Sequence, residues 1–211
     1  MMMKILTIIF RFFSFIYPYK LHCKLLSLKN SVYSFWIRNF IGYIGEHSRI
    51  NYPCSLQGGG QKQISIGDYT SILGNSILGC WVKYCKQDFH NCYISIGSYC
   101  SIGEFNHISA CNGIKIGDGL LTGRYVIISD NAHGELSEIE SAIRPSQRDL
   151  KSKGEIVIGN NVWLADKVAV LSGVHIGNNV IVAANAVVTK DLPDNCIAAG
   201  VPAIVVKRLS N

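Results

Sequence analysis

Histidine is the residue type in this chain best suited to acid–base chemistry, and His133 has the most specific setting of the six histidines. It lies in the motif Ser129-Asp-Asn-Ala-His133-Gly, directly after an apolar segment and at the start of a long polar stretch. Imidazole gains and loses a proton near pH 7. No phosphate-binding loop, dinucleotide fingerprint or nucleophilic triad accompanies it. We therefore predict a functional excursion with His133 at its base.

A second group combines the residue types of a zinc site, namely Cys80, Cys85, His90 and Cys92. Their spacings match neither a CxxC nor a CxxH knuckle, so we predict that the protein has no metal site. The other five of the eight cysteines stand alone or fall within repeated sequence. Free thiols indicate a reducing compartment, and we expect the protein to be cytoplasmic.

The sequence that must position His133 repeats every six residues, most regularly from 156 to 193. Each unit opens with an aliphatic residue, usually continues with Gly or Ala, and has Val or Ala at position five. Three units make the 18 residues from Ile158 to Ile176, which predicts a coil with three flat sides stacked into a solenoid. We expect Gly, Asn and Asp to form the bends, because these residues tolerate positive φ best.

The repeat pattern divides the chain into three parts. We predict a basic and apolar helical extension at 1–43, a solenoid at 44–206, and a short tail at 207–211. Two interruptions of the repeat predict loop excursions at 79–93 and 130–155. The second excursion contains His133 at its start. We therefore expect the rigid solenoid to determine the position of this side chain.

Three motifs of the C-terminal third are the most specific: Ile158-Gly-Asn-Asn-Val-Trp163, Val188-Thr-Lys-Asp-Leu-Pro193 and Ala198-Ala-Gly-Val-Pro202-Ala. They resemble the hexapeptide-repeat acyltransferases, and the resemblance covers about residues 44–208. This family includes galactoside, maltose and xenobiotic acetyltransferases and bacterial polysaccharide O-acetyltransferases. The resemblance implies an all-β solenoid, specifically a left-handed parallel β-helix. It also implies transfer of an acetyl group from acetyl-coenzyme A to a sugar hydroxyl, in surface polysaccharide or lipopolysaccharide biosynthesis.

The resemblance assigns roles to individual residues. His133 matches the catalytic base of the family. The residues that it implies for acceptor binding are Glu104, Asn106, His107, Asp130 and Asn131. Those that it implies for coenzyme A binding are Trp163, Ala165, Asp166, Ala183, Ala184, Thr189, Lys190, Lys207 and Arg208. Relatives often have a basic residue where this chain has Ile204, so the nucleotide end of coenzyme A is expected to depend on Lys207 and Arg208.

The resemblance also implies a homotrimer with sites between neighbouring coils, a sugar or glycan acceptor and no nucleic-acid partner. Two other acceptors stay open, an antibiotic and a free sugar. A zinc-dependent carbonic anhydrase on the same helix would need a closely spaced histidine pair, which this chain lacks. A non-catalytic scaffold is the remaining alternative, and it predicts no activity that depends on His133.

The net charge of +6 is concentrated in residues 1–45, which contain six basic residues and no acidic one. An apolar run from Ile5 to Tyr17 lies within this segment and is too short to cross a bilayer. Two interpretations remain open. The segment is either a helix that packs on the solenoid or on a neighbouring subunit, or a basic amphipathic helix on the inner face of an anionic membrane.

Overall fold

The computed structural model describes residues 2–135 and 137–208. Two helices, α1 (Met2–Ile16) and α2 (Tyr19–Ile37), precede a parallel β-helix of six coils. Pro18, which separates the helices, cannot continue α1 because it lacks a backbone N–H. The predicted helical extension and solenoid are both present.

Each coil contains three short strands. In chain order they are β1 (Tyr43–Ile44), β2 (Arg49–Ile50) and β3 (Cys54–Gln57); then β4 (Ile64–Ile66), β5 (Ser71–Ile72) and β6 (Ser76–Cys80). A hairpin of β7 (Lys83–Tyr84) and β8 (Gln87–Asp88) follows. The next coils contain β9 (Ile94–Ile96), β10 (Ser101–Ile102), β11 (His107–Ala110), β12 (Ile114–Ile116), β13 (Leu121–Thr122) and β14 (Ile127–Ser129).

The second excursion contains β15 (Ala132–His133), the short helix α3 (Glu138–Ser141) and β16 (Leu150–Lys151). The last coils contain β17 (Ile156–Ile158), β18 (Trp163–Leu164), β19 (Ala169–Leu171), β20 (His175–Ile176), β21 (Ile181–Val182) and β22 (Val187–Val188). The chain continues through β23 (Cys196–Ala199) and β24 (Ile204–Arg208). Lys207 and Arg208 therefore belong to a strand and not to the predicted tail, and 209–211 lie outside the described residues.

The strands form three parallel sheets, one on each side of the coil. The first sheet contains β1, β4, β9, β12, β17 and β20, and the third contains β3, β6, β11, β14, β19 and β22. The second begins with β2 and ends with β23 and the antiparallel β24. Ile158 is paired with Ile176, as the 18-residue period predicts. The aliphatic residues that open the repeats are buried in one continuous core.

A ladder of side-chain oxygens connects the coils at the corner between the first and second sheets. The backbone N–H of Glu46 donates to Asp68 Oδ1 at 2.7 Å, and that of Asp68 donates to Ser98 Oγ at 3.0 Å. The ladder continues through Asp118, Asn160, Asn178 and Asp194 at 2.7–2.8 Å. It gives partners to corner N–H groups that the sheets leave unpaired.

The bends differ in part from the prediction. Asparagines adopt positive φ at several corners, but so do Tyr69 and Tyr99, with φ of 53° and 58°. The two tyrosine rings stack on each other, with centroids 5.2 Å apart. Aspartate adopts no positive φ in the described part of the chain; it accepts hydrogen bonds at the first corner instead. Stacking of rings from successive coils offsets the backbone strain.

The glycines that follow the opening aliphatic residue of a repeat are required for a different reason from the positive φ that we expected. A Cβ on Gly97 would lie 2.5 Å from Asp118 Oδ1, and one on Gly177 would lie 2.1 Å from Asp194 Oδ1. Neither glycine has a positive φ. These positions need glycine because the next coil comes so close, and not because of the backbone angle.

Helix α2 covers the open end of the first coil. The Arg38 guanidinium donates to the carbonyl oxygens of Ile44, Gly45 and Ser48 at 2.8–3.1 Å. Ser34 Oγ accepts from the backbone N–H of Ile50 at 3.1 Å. These side chains pair backbone groups of the first coil that have no preceding strand.

Within residues 2–135 and 137–208, no single helix has both the length and the hydropathy of a membrane span. Together α1 and α2 meet this criterion, but they are bent by 56° at the break between them.

We predict that Gly97→Ala lowers the free energy of unfolding by about 1–3 kcal/mol, because the added methyl group must displace Asp118 or the next coil. Denaturant unfolding followed by circular dichroism measures this change. Ser101→Ala, on the exposed face of the same coil, is the matched control and should stay within about 0.5 kcal/mol. Equal stability of both variants would contradict the close approach of the coils.

Candidate functional site

His133 lies at the start of the second excursion, directly beyond the third sheet. The strand β14 ends at Ser129, and the chain then turns outward into β15, which pairs antiparallel with β16. Within this pair His133 lies opposite Leu150. Leu150 is buried while the histidine is exposed, so β16 anchors the strand pair and leaves the imidazole accessible.

The first excursion brings Tyr84 to His133, a contact that the sequence did not predict. The two rings meet edge to face, with centroids 5.3 Å apart. Tyr84 Oη donates to the Ser146 carbonyl oxygen at 3.3 Å, which connects the two excursions. Both excursions follow strands of the third sheet, β6 and β14, and this shared edge is the signal that could have predicted their contact.

Asp130 and Asn131, which precede His133 in its motif, have different environments. Asp130 is fully buried and accepts from the backbone N–H groups of residues 111–113 at 2.7–2.9 Å. Asn131 Nδ2 donates to Ser109 Oγ at 3.1 Å, which also accepts from Trp81 Nε1 at 3.1 Å. Asp130 therefore anchors the loop, whereas Asn131 remains half-buried beside the histidine.

Asn106, an expected acceptor-binding residue, is only 2% exposed. Its Oδ1 accepts from the Val126 N–H at 2.7 Å, and its Nδ2 donates to Thr122 Oγ1. Thr122 is buried where other coils have an isoleucine or leucine. The Asn106 side chain thus completes the inner wall of a coil and presents no polar group to an acceptor.

The other two expected acceptor residues are accessible. His107 is half-buried on the outer face of β11, next to Ile127 on the following strand, and burial lowers the pKa of its imidazole. It is therefore neutral at pH 7. Glu104 lies at the corner before β11 and forms an ion pair with Arg124, at 3.2 Å between Oε2 and Nη2.

A pocket of 260 Å³ adjoins the His133 loop. It is lined by Ser129, Asn131, Ala132, Lys153, Leu171, Ser172 and Thr189. Expected donor and acceptor residues, Thr189 and Asn131, thus meet in one depression next to the histidine. Lys153 and Ser172, which no motif had indicated, complete its wall.

The remaining expected donor residues lie on other faces of the same chain. Trp163 is exposed on the second sheet, and in the same row Ile181 is paired with Ile197 and Ile197 with Lys207. Arg208 follows on β24. The corner between the second and third sheets contains the small residues Ala165, Ala183 and Ala184 and the acid Asp166. There Asp166 Oδ1 accepts a hydrogen bond from the backbone N–H of Arg124. Lys190 is exposed just after β22.

The cysteine and histidine group does not form a cluster. Cys80 and Cys92 are buried with Sγ atoms 3.0 Å apart, but Cys85 and His90 are exposed on the excursion. Within the described residues, no three His, Cys, Asp or Glu side chains are arranged to hold a metal ion. Near Asp130, burial and the carboxylate raise the pKa of Cys111 to about 12, so this thiol is not ionised at neutral pH.

Comparison with known proteins places this geometry in a family. The signature described as "Bacterial transferase hexapeptide (six repeats)" matches residues 155–190. WbbJ of Escherichia coli K12, named as a lipopolysaccharide biosynthesis O-acetyl transferase, is 32% identical over 77% of this chain and 79% of its own length. The galactoside O-acetyltransferase of the same strain is 34% identical over 56% of this chain, which spans 59% of the length of that relative.

Solved structures have the same fold. AntD, an N-acyltransferase from Bacillus cereus, was solved in complex with dTDP and 3-hydroxybutyryl-coenzyme A; it matches with a TM-score of 0.65 and 21% identity, over 83% of this chain and 87% of its own. A hexapeptide-repeat acetyltransferase from Vibrio cholerae, solved with acetyl-coenzyme A, matches with a TM-score of 0.55 and 24% identity, over 82% and 74%. These likenesses confirm the left-handed parallel β-helix. Since the relationship to WbbJ extends over most of both proteins, the chain belongs to the family of hexapeptide-repeat acetyltransferases.

Proposed function

We propose that this protein is an O-acetyltransferase that moves the acetyl group of acetyl-coenzyme A to a hydroxyl of a sugar in a surface glycan. The observation that carries the proposal is the exposed His133, held on β15 just beyond the third sheet, where the preceding Asn131 and Ala132 line a pocket together with Thr189. The names of WbbJ and of the galactoside enzyme support a sugar acceptor.

In this proposal His133 is the general base. A sugar hydroxyl is hardly ionised at neutral pH, so a ring nitrogen of His133 must take its proton as the new bond to the acetyl carbon forms. The Tyr84 ring restrains the imidazole from one side. Cys111 stays protonated because of its raised pKa, which favours direct attack by the acceptor over a covalent acyl-enzyme.

The expected donor residues fit acetyl-coenzyme A chemically. The exposed Trp163 and the small Ala183 and Ala184 offer an apolar path for the pantetheine arm. Lys207 and Arg208 are exposed and form no ion pair within the described part of the chain, so both charges are free to meet phosphates. Thr189 lines the pocket, and Lys190 follows it in sequence and is exposed. When bound, the thioester supplies the activated acetyl group.

We assign acceptor contact to Asn131, with Glu104 and His107 on neighbouring turns. The side-chain Oδ1 of Asn131 can accept a hydrogen bond from the acceptor, because Nδ2 is the side-chain atom that is bonded internally. His107 is neutral and can accept or donate a hydrogen bond to a hydroxyl. Asn106 and Asp130 act indirectly in this scheme, because they hold the coil and the loop from inside.

A homotrimer would complete the site. Within one chain Trp163 lies on the second sheet while His133 extends from the third, so a neighbouring copy must contribute one of the two groups if both act at one centre. The apolar side chains exposed on these faces, Ile127, Leu171 and Trp163 among them, suit such an interface. Light scattering at micromolar concentration should give three times the chain mass, and a monomer would contradict this arrangement.

The function is tested by thiol release from acetyl-coenzyme A. The acceptor panel contains hydroxyl-bearing glycans, nucleotide sugars, an amino sugar, free galactosides and chloramphenicol. We expect release with the glycans or nucleotide sugars, and mass spectrometry should locate an ester. An amide product, or thiol release with chloramphenicol alone, would overturn the proposal of sugar O-acetylation. Absence of thiol release with every acceptor would favour a non-catalytic scaffold.

We predict that His133→Ala lowers the turnover of the active acceptor by a factor of about 10² to 10⁴, because the hydroxyl proton then has no base. Binding of coenzyme A, measured by calorimetry, should barely change. His175→Ala is the matched control, since His175 is exposed on the first sheet away from the pocket. An unchanged rate in His133→Ala would refute the mechanism.

We predict that Lys207→Gln together with Arg208→Gln raises the KM for acetyl-coenzyme A by about tenfold or more and leaves kcat near its original value. Contacts to the phosphates stabilise the bound substrate and the transition state equally, so their loss weakens binding without slowing the chemical step. Initial rates at varied acetyl-coenzyme A measure both constants. Lys115→Gln on the exposed face of the first sheet is the control. A fall in kcat alone would place these residues elsewhere than at the phosphates.

A further inference from the structure

Helix α1 has no packing partner within the described part of the chain. All of its residues are exposed, including Phe10, Phe12 and Phe15 at 68%, 67% and 89%. Its side-chain hydrogen bonds, from Thr7 and Ser14, stay within the helix. A free apolar helix about 22 Å long is unfavourable in water, so its sequence must be adapted to some other surface.

The polar residues of α1 form one narrow stripe. Lys4, Thr7, Arg11 and Ser14 follow one another at spacings of three and four, which places them on one face of the helix. The remainder of the circumference is apolar, with isoleucine, leucine, methionine and phenylalanine. A seam against a single partner helix would have a narrow apolar stripe, whereas this helix has a narrow polar one. The pattern suits a helix sunk into an interface with only its stripe in water.

The charges indicate the nature of that interface. Residues 1–45 contain six basic side chains and no acidic one, and the rest of the chain is neutral overall. Arg38 is engaged by the first coil, and Lys29 lies 3.7 Å from the Tyr52 ring centroid. Lys4, Arg11, Lys20 and Lys24 are exposed and form no ion pair among the described residues.

Helix α2 extends the apolar surface while staying fixed to the solenoid. Its outward face presents Leu21, Leu25, Leu28 and Val32, at spacings of four, three and four residues. Together with Trp36 and Tyr52, three of these residues, Leu25, Leu28 and Val32, line a shallow groove of 530 Å³. Because α2 is hydrogen-bonded to the first coil through Ser34 and Arg38, a ligand of α1 and α2 would orient the whole solenoid.

We propose that α1 and the outward face of α2 dock on an anionic phospholipid surface, with α1 lying in the plane of the interface. We expect the helices to lie on the membrane surface and not to cross the bilayer, because α1 is too short to span it and the chain bends by 56° between α1 and α2. The proposal rests on α1, α2 and the groove beside them and is independent of the acetyl transfer, so either can fail without the other.

The test is co-sedimentation of the full chain with vesicles. One set contains one part phosphatidylglycerol to three parts phosphatidylcholine, and the other is phosphatidylcholine alone. We expect binding to the anionic vesicles at about 0.1 M salt and release at about 0.5 M. Lys4→Gln with Arg11→Gln should weaken the partition by about 25-fold, because each cation near anionic lipid contributes about fivefold. Phe10→Ser with Phe13→Ser should weaken it at least as much.

Two controls keep the result specific. Lys115→Gln with Tyr99→Ser removes one exposed cation and one exposed ring from the solenoid, and this variant should bind like the original chain. The α1 variants should unfold at the same temperature as the original chain, because the α1 side chains are exposed and pack on no other part of the described fold.

Three outcomes would overturn the proposal. Absence of binding to both vesicle types would exclude a lipid surface. Equal, salt-resistant binding to both would indicate insertion of the bent helix pair and not surface docking. Self-association of the original chain that the Phe10→Ser, Phe13→Ser variant loses, without vesicle binding, would assign α1 to a second copy.

Discussion

The structure depends on the distance between neighbouring coils, which the backbone hydrogen bonds of parallel strands fix at about 4.8 Å. This spacing leaves no room for a Cβ at Gly97 or Gly177, and it brings one side-chain oxygen of each coil within reach of an N–H of the coil before it. The same spacing stacks Tyr69 on Tyr99. The close packing of the glycines, the hydrogen bonds at the corners and the stacking of the tyrosine rings are therefore all consequences of the constant distance from one coil to the next.

In this rigid stack His133 lies where the repeat is interrupted. The two excursions leave the third sheet at β6 and β14 and meet where Tyr84 contacts His133. The buried Asp130 connects the base of one excursion to residues 111–113 of the preceding turn by hydrogen bonds. The backbone that leads to His133 is therefore fixed to the core. Exposed side chains on a stiff support are suited to a reaction that requires a fixed distance between a base and an acyl carbon.

Much of the fold was predictable because the hexapeptide period directly reflects the coil. The period placed Ile158 next to Ile176, and the absence of the repeat from residues 1–43 predicted the helical extension. The contact between Tyr84 and His133 was harder to predict, since the residues around Tyr84 do not identify His133 as a neighbour and only the shared sheet of the two excursions indicates it. Thr122 was an overlooked signal: a polar residue at an inward position requires an internal partner, and this partner is Asn106. The expected donor residues illustrate the same limit, because the resemblance could not say that Trp163 and His133 extend from different sheets of one chain. A periodic sequence determines which side of a coil a residue occupies, but it contains no information on how copies meet.

The cover that α2 provides for the first coil also limits growth. Each coil of a parallel β-helix presents a row of backbone donors and acceptors to the next, so an uncovered terminal coil would accept a strand from any other molecule, and the assembly would extend into a fibre. At one end Arg38 and Ser34 pair some of these groups, and at the other β24 turns antiparallel across the second sheet. The elements that flank the coils thus oppose the addition of further strands at the covered edges.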